Sequence, residues 1–219
     1  MGDVKQTTKT LYGSGKIYST DFVETEFPVV ADFSKLTDAE AAAILKYCTD
    51  KCIPENRIGL LKGGYQFQLT TENLSDQDDL GELKVDEIKK ETGTSTFKLF
   101  NANGKIIASQ YPTATYSESP DGSGLAAIGG LEHIDNTVHV IIFHRIDKAK
   151  GDTYVIAAGK NISGLTVGYN PDSVTPFDVS IACEPLNEKG NLVWMFDPTI
   201  KTVSGQSAST SNAINTVKV

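Results

Sequence analysis

The sequence predicts a mainly β protein with one or two helices, arranged as a β-sandwich or β-barrel. Apolar and polar residues alternate at 65–70 and 177–183, and a period of two is typical of strands that bury one face. Residues 138–144 are apolar on both faces, as expected of a central strand. By contrast, a helical spacing of apolar residues is clear at 38–51. Strands therefore dominate the predicted fold.

Length and charge limit the classes of protein to consider. A chain of 219 residues, 39% of them hydrophobic, can form one β domain over 1–201, followed by a flexible tail at 202–219 rich in Ser, Thr and Asn. No apolar run approaches the roughly 20 residues of a membrane span. Residues 1–6 lack the apolar stretch of a secretory signal, so we expect cytoplasmic synthesis. The net charge of −8 argues against a surface that grips nucleic-acid phosphates.

Local signals place the helices. Thr37-Asp-Ala-Glu40 is a capping box, and Pro54 blocks continuation, so we expect a helix over about 38–51. Asn103-Gly104 is compatible with a tight turn whose partner strand is 105–111, or with a short helix that tolerates the glycine at a cost of roughly 1 kcal/mol. The sequence leaves these two alternatives open.

The region after residue 64 combines a polar strand face with an acidic segment. Gln66, Gln68 and Thr70 alternate with apolar neighbours, which predicts a polar sheet face. Residues 72–92 contain eight acids and three lysines, and we expect a long loop there. Loops of this length usually carry a function or are disordered, so we expect this one to form a subunit interface, with a flexible surface loop as the alternative. The proposed interface residues are Asp76, Asp78, Asp79, Leu80, Leu83, Val85 and Ile88.

Further strands are expected towards the C-terminus. Residues 117–130 are rich in Ser, Gly, Asp and Pro and predict an exposed loop. Alternating or continuous apolar residues predict strands at 153–158, 165–169, 177–183 and 192–196.

No local motif supports catalysis, a cofactor or a metal. Gly13-Ser-Gly-Lys16 lacks the first glycine and the Ser or Thr of a phosphate-binding loop, and the acids near 76–82 do not have the register of a calcium loop. Cys48 and Cys52 continue the apolar stripe of the helix, which favours packing over metal binding. The three cysteines have no paired spacing, so reduced thiols are expected. We therefore predict a protein that is not an enzyme, with Trp194 in the core.

The order of features resembles the major tail tube proteins of long-tailed bacteriophages. The resemblance rests on Tyr12-Gly-Ser-Gly-Lys-Ile-Tyr18, on Arg57-Ile-Gly-Leu-Leu-Lys-Gly-Gly64 leading into the strand that follows, and on the acidic segment after it. It continues through Thr96-Phe-Lys-Leu-Phe100 and ends in Phe177-Asp-Val-Ser-Ile-Ala-Cys-Glu184. The likeness is one of pattern and order, and it covers about 12–200.

The resemblance implies a structural role in a virion tail, assembled in the cytoplasm of a bacterial host. It implies stacked, hexameric rings of this chain, through which duplex DNA passes without specific binding. The implied partners are other copies of the chain and the tape-measure, tail terminator and tail tip proteins. A tube subunit of a contractile injection system shares this fold. A carbohydrate-binding or adhesin-like β-sandwich, with aromatic side chains stacked on sugar rings, is an alternative of another class.

Overall fold

The computed structural model describes residues 15–77, 84–100, 103–134, 136–147, 151–166 and 176–198. They form ten strands and two α-helices, joined in places by short 3₁₀ turns, so the predicted mainly β fold is confirmed. The first strands and the first helix are β1 Gly15–Asp21, α1 Asp38–Lys51, β2 Arg57–Gly59, β3 Leu61–Gln77 and β4 Lys84–Leu99. The remaining elements are α2 Gly104–Gln110, β5 Ala114–Glu118, β6 Gly124–Ile128, β7 His139–Arg145, β8 Thr153–Asn161, β9 Phe177–Glu184 and β10 Val193–Phe196.

The large sheet closes into a barrel. Its strands pair antiparallel in the order β2-β1-β7-β8-β9-β4-β3, so β2 and β3 are its two ends. These end strands are consecutive in sequence and are separated by Leu60 alone, whose carbonyl accepts a hydrogen bond from Phe100 N at 2.6 Å. Across the interior, the rings of Tyr65 on β3 and Phe143 on β7 stack with centroids 5.2 Å apart. Of the two predicted architectures, the structure therefore has the barrel.

The interior of the barrel is one of two cores. It contains apolar side chains from β1, β4, β7 and β9, including Ile17, Phe97, Ile141 and Val179, each at most 3% exposed. Strand β7 is central, as predicted, and alternate residues of the strand point to opposite sides of the sheet. Val140 and Ile142 therefore belong to the second core, outside the barrel.

Helix α1 and strand β10 cover that outer core. The helix has the predicted bounds, and its Ile44, Tyr47 and Cys48 pack beside Trp194 of β10. Trp194 is buried and lies 4.7 Å from Phe27 between ring centroids, as predicted for a core residue. Strand β10 pairs with the first half of β8, and β9 pairs with its last four residues. Strand β8 therefore pairs first with β10 and then with β9 along one edge. Helix α1 packs beside β10, on one side of the barrel.

Helix α2 resolves the alternative at Asn103-Gly104 in favour of a helix. The Asn103 side chain accepts a hydrogen bond from Ile106 N at 2.9 Å and so caps the helix. A Cβ at residue 104 would lie 2.9 Å from Ala126 Cβ, so a glycine permits the close packing of α2 on β6. The segment after α2 joins the barrel core through Tyr111, whose hydroxyl donates to Asp178 O at 3.0 Å.

Two predicted segments differ from the structure. The exposed loop predicted at 117–130 is largely a hairpin of β5 and β6, whose Ser119–Ser123 turn is held by backbone hydrogen bonds. Its strands expose most of their side chains, so apolar and polar residues do not alternate in their sequences. The strand predicted at 165–169 is not formed at 165–166, and its other residues lie outside the described ones. The predicted tail at 202–219 also lies outside them.

Close packing of β8 on β9 predicts that Gly159→Ala destabilises the barrel. A methyl group at residue 159 would overlap the carbonyl group of Ala182, and its carbon would lie 2.8 Å from Ile181 Cγ2. We expect the free energy of unfolding to fall by about 1–3 kcal/mol, as for overpacked cores. Chemical denaturation measures the loss, and Gly164→Ala is the control because a Cβ there meets nothing within 4 Å. Equal stability of the two variants would contradict this packing.

The capping box of α1 predicts a pH-dependent stability. The Glu40 carboxylate accepts hydrogen bonds from the Thr37 hydroxyl and from the Ala31 and Thr37 amides, which lower its pKa to about 2. The ionised carboxylate therefore stabilises the folded state above its unfolded pKa of about 4.3, and this stabilisation is lost as the pH falls towards 2. We expect Glu40→Gln to lower the denaturation midpoint at pH 7 and to have a shrinking effect below pH 4. The exposed Glu55→Gln is the control, and a pH-independent effect of Glu40→Gln would refute this account.

Candidate functional site

The outer face of β9, β4 and β3 forms a continuous part of the barrel wall that contributes no residue to the outer core beneath α1 and β10. The structure places Gln66, Gln68 and Thr70 together on this face, all exposed. They pair across the strands with Thr96, Thr94 and Thr92 respectively. Along the other edge of β4, which pairs with β9, Thr96 lies opposite Ser180. Hydroxyl and carboxamide groups therefore cover the face; we call this surface the polar face.

Charges on the polar face are nearly balanced. Lys98 and Asp178 face each other in the β4–β9 register, and their charged groups lie 3.1 Å apart. Both side chains are more than half exposed, so water screens this ion pair and it contributes little to stability. Glu184 of β9 is likewise 3.7 Å from Lys160 of β8, so the polar face offers hydrogen-bonding groups with compensated cations. Such a surface lacks the cluster of basic groups on which duplex DNA binding depends.

A groove lies at the edge of the polar face, near Leu60, where the sheet closes. The register of β3 with β4 shifts between Leu61 and Tyr65, and Gly63 and Gly64 have φ values of +84° and +86° in this bulge. Side chains other than glycine rarely adopt such values, so the glycines allow the chain to bulge outwards. Lys62 and Lys98 are among the residues that line the groove.

Residues 72–77 and 84–92 are paired strands of a projecting hairpin, so for these residues the prediction of a long loop is wrong. Strand β3 runs to Gln77 and β4 begins at Lys84, with Asp76 paired to Val85 near the tip. Strand β9 pairs with β4 only from Thr94 to Leu99. Beyond that point the hairpin stands as a two-stranded ribbon, which we call the arm and define as residues 70–77 and 84–92.

Apolar and polar residues do not alternate in the sequence of the arm, because neither side of the ribbon packs against a core. In the arm, all described side chains are exposed, so acids are tolerated on both sides. Of the proposed interface residues, Ile88 is 62% exposed, and for Asp76 and Val85 the structure gives the backbone pairing. The others, Asp78, Asp79, Leu80 and Leu83, lie outside the described residues.

The arm exposes aliphatic side chains that a globular protein would bury. Leu74 is 47% exposed and Ile88 62%, and Leu69 at the base of the arm is 50% exposed. In the described part of the chain, neither strand of the arm has a further strand on its outer edge. An isolated two-stranded ribbon is marginally stable in water, and unpaired edges template contact with other chains. The arm therefore has the features of an unpartnered interaction element.

Sequence reasoning missed the residues that β4 and β9 contribute to the polar face. Thr92, Thr94 and Thr96 recur at every second position, which is the signal that would have placed them together on a strand. Ser180 of β9 becomes part of the face through pairing with Thr96. Pairing between distant strands cannot be read from a local pattern, so Ser180 carries no comparable signal.

The candidate reactive side chains are dispersed. Burial raises the pKa of the Cys52 thiol to about 12 and that of Cys48 further still, so both thiols are protonated and act as packing groups. His139 Nδ1 lies 3.2 Å from Asp21, whereas His144 Nε2 lies 2.9 Å from Asp152. Among the described residues, no group of three or more His, Cys, Asp and Glu side chains could hold a metal ion.

Comparison with family models and with curated proteins identifies no relative of this chain. No family model matches the sequence, and the search of curated proteins finds none that is similar to it. In the described part of the chain, no helix is both long and apolar enough to cross a membrane.

Proposed function

We propose that this chain is a structural subunit that assembles with copies of itself into rings, and that the rings stack into a tube of the phage tail type. The arm is the observation that supports the proposal most directly. It projects from a barrel whose own strands are paired, it exposes Leu74 and Ile88, and it leaves two strand edges without partners in the described chain. Such an element gains stability when a second copy covers it.

The polar face suits the wall of a channel for duplex DNA. Its charged groups are paired, Lys98 with Asp178 and, at the end of β9, Glu184 with Lys160 of β8, and the chain carries a net charge of −8. Without clustered cations, phosphates release few counterions on contact and are not retained. DNA would therefore pass such a wall without binding, as the transport role requires.

The carbohydrate-binding alternative loses its main support. It required exposed aromatic side chains that could stack on sugar rings, but Trp194 is buried between Phe27 and Phe33. The tryptophan belongs to the core that holds α1 on the barrel.

Removal of the arm is expected to prevent assembly without unfolding the subunit. Thr70 and Thr92 face each other across β3 and β4, so residues 71–91 can be replaced by a two-residue Asn-Gly turn. We expect this variant to be a folded monomer at concentrations where the unmodified chain forms rings or tubes. Sedimentation velocity and negative-stain microscopy measure assembly, and circular dichroism reports the fold.

A milder pair of variants controls for general loss of apolar surface. Leu74→Ser with Ile88→Ser should weaken assembly, whereas Leu125→Ser with Leu131→Ser should not, although Leu125 and Leu131 are 68% and 81% exposed. Normal tubes from the variant without the arm would show that the arm is not an assembly element.

The polar face is expected to acquire DNA affinity when cations are added to it. The unmodified chain should show no duplex affinity tighter than roughly micromolar at physiological salt. A triple variant, Gln66→Lys, Gln68→Lys and Thr70→Lys, places three cations in a row on β3 and should bind duplex DNA with a steep salt dependence. Fluorescence anisotropy with labelled duplex at several salt concentrations measures both. Tight, salt-dependent binding by the unmodified chain would exclude a non-adhesive channel wall.

A further inference from the structure

A small cavity lies between the C-terminal end of α2 and two strands of the barrel. Its volume is about 50 Å³. The residues that line it include Gln110 of α2, Thr137 and His139 at the start of β7, and Lys160 and Asn161 at the end of β8. A water molecule takes up about 30 Å³ in the liquid, so a cavity of this size holds one or two water molecules. Any larger ligand is excluded by size.

Gln110 brings a hydrogen-bond acceptor to this cavity. Its side chain is only 3% exposed. Gln110 Nε2 donates to Ser109 O at 3.2 Å and to Ser109 Oγ at 3.3 Å, and the Ser109 hydroxyl itself donates to Ile106 O at 2.9 Å. Both Ser109 oxygens therefore need a donor, which determines the orientation of the Gln110 carboxamide. The remaining atom, Gln110 Oε1, is buried and has no hydrogen-bond partner among the described residues.

Asn161 brings a hydrogen-bond donor to the same cavity. Its side chain is 8% exposed. Asn161 Oδ1 accepts hydrogen bonds from the Ser163 amide at 2.9 Å and from the Ser163 hydroxyl at 2.7 Å. A backbone N–H can only donate, so the oxygen of the Asn161 carboxamide must lie on that side. Its nitrogen, Nδ2, is buried and finds no partner in the described part of the chain.

The charged side chains that line the cavity favour a neutral ligand. Lys160 Nζ lies 3.7 Å from Glu184, and His139 Nδ1 lies 3.2 Å from Asp21. Each basic side chain among the described lining residues therefore has an acidic partner. An anion would gain little from these compensated charges and would lose its hydration on entry.

We propose that this cavity is a hydration site, in which an ordered water molecule joins Gln110 of α2 to Asn161 of β8. Buried polar groups are almost always hydrogen-bonded to the protein or to ordered water. Water can donate to Gln110 Oε1 and accept from Asn161 Nδ2 at the same time, and it fits the volume. The inference is independent of self-assembly, because the site belongs to a single subunit.

The bridging water gives α2 a second polar attachment to the barrel. The first is the hydroxyl of Tyr111, which donates to Asp178 O at 3.0 Å. Because α2 also packs on β6 through Gly104 and Ala126, the bridge contributes to the position of the β5–β6 hairpin. The water is therefore a structural component of the subunit.

A crystal structure or cryo-electron microscopy map of the unmodified chain, at a resolution that shows ordered water, tests the site directly. We expect a water peak within about 2.7–3.2 Å of both Gln110 Oε1 and Asn161 Nδ2. In solution, NMR should show magnetisation transfer from water to the side-chain amide hydrogens of Asn161. Xenon binds to dry apolar cavities, so pressurised crystals should show none here. A cavity that takes up xenon, or a direct contact between the two carboxamides, would overturn the inference.

Two variants test whether Gln110 holds the water. Gln110→Met keeps a similar volume and removes the acceptor, so the water peak and the magnetisation transfer should be lost. Ser109→Ala is the matched control: it removes one partner of Gln110 Nε2 and leaves Oε1 in place, so the water should remain. An unchanged water peak in Gln110→Met would refute the bridge. If Gln110→Met fails to fold, the map of the unmodified chain decides.

Discussion

Closure of the sheet at Leu60 is the constraint on which the rest of the structure depends. A single residue links the strand that pairs with β1 to the strand that pairs with β4, so the sheet must curl until its ends meet. This curvature creates an interior that Ile17, Phe97 and Ile141 fill. The curvature also separates the outer surface of the barrel from its interior. Helix α1 and strand β10 cover one part of this outer surface, and the polar face remains exposed.

The same closure explains why the arm projects. Strand β3 is far longer than the barrel needs, because β9 supports the hairpin only as far as Thr94. The remainder continues as a ribbon with aliphatic side chains and strand edges in solvent. A globular protein gains nothing from such an element by itself, whereas an assembling subunit gains a contact. The physical argument for self-association therefore rests on the exposed aliphatic side chains and strand edges of the arm.

Local signals in the sequence predicted those parts of the fold that local interactions determine. The bounds of α1 were predictable because Thr37 and Glu40 cap the helix and Ile44 and Cys48 share its buried face. The polar face was recognised in part, because Gln66, Gln68 and Thr70 alternate with apolar neighbours. The arm and the β5–β6 hairpin were predicted as loops because neither buries a face and both lack the periodic signal of a strand.

Long-range pairing determines the rest. The closure at Leu60 depends on strands more than 30 residues apart in sequence, and no local pattern specifies which of them meet. The helix at Gly104 depends on the Asn103 cap and on the space that Ala126 leaves for a residue without a Cβ.

Electron microscopy of the concentrated, unmodified chain tests the central claim most directly, because rings that stack into a tube are regular assemblies that images show directly. The account predicts rings or tubes of uniform diameter, with the arm in contact with a neighbouring copy. A monodisperse monomer at every concentration would contradict it.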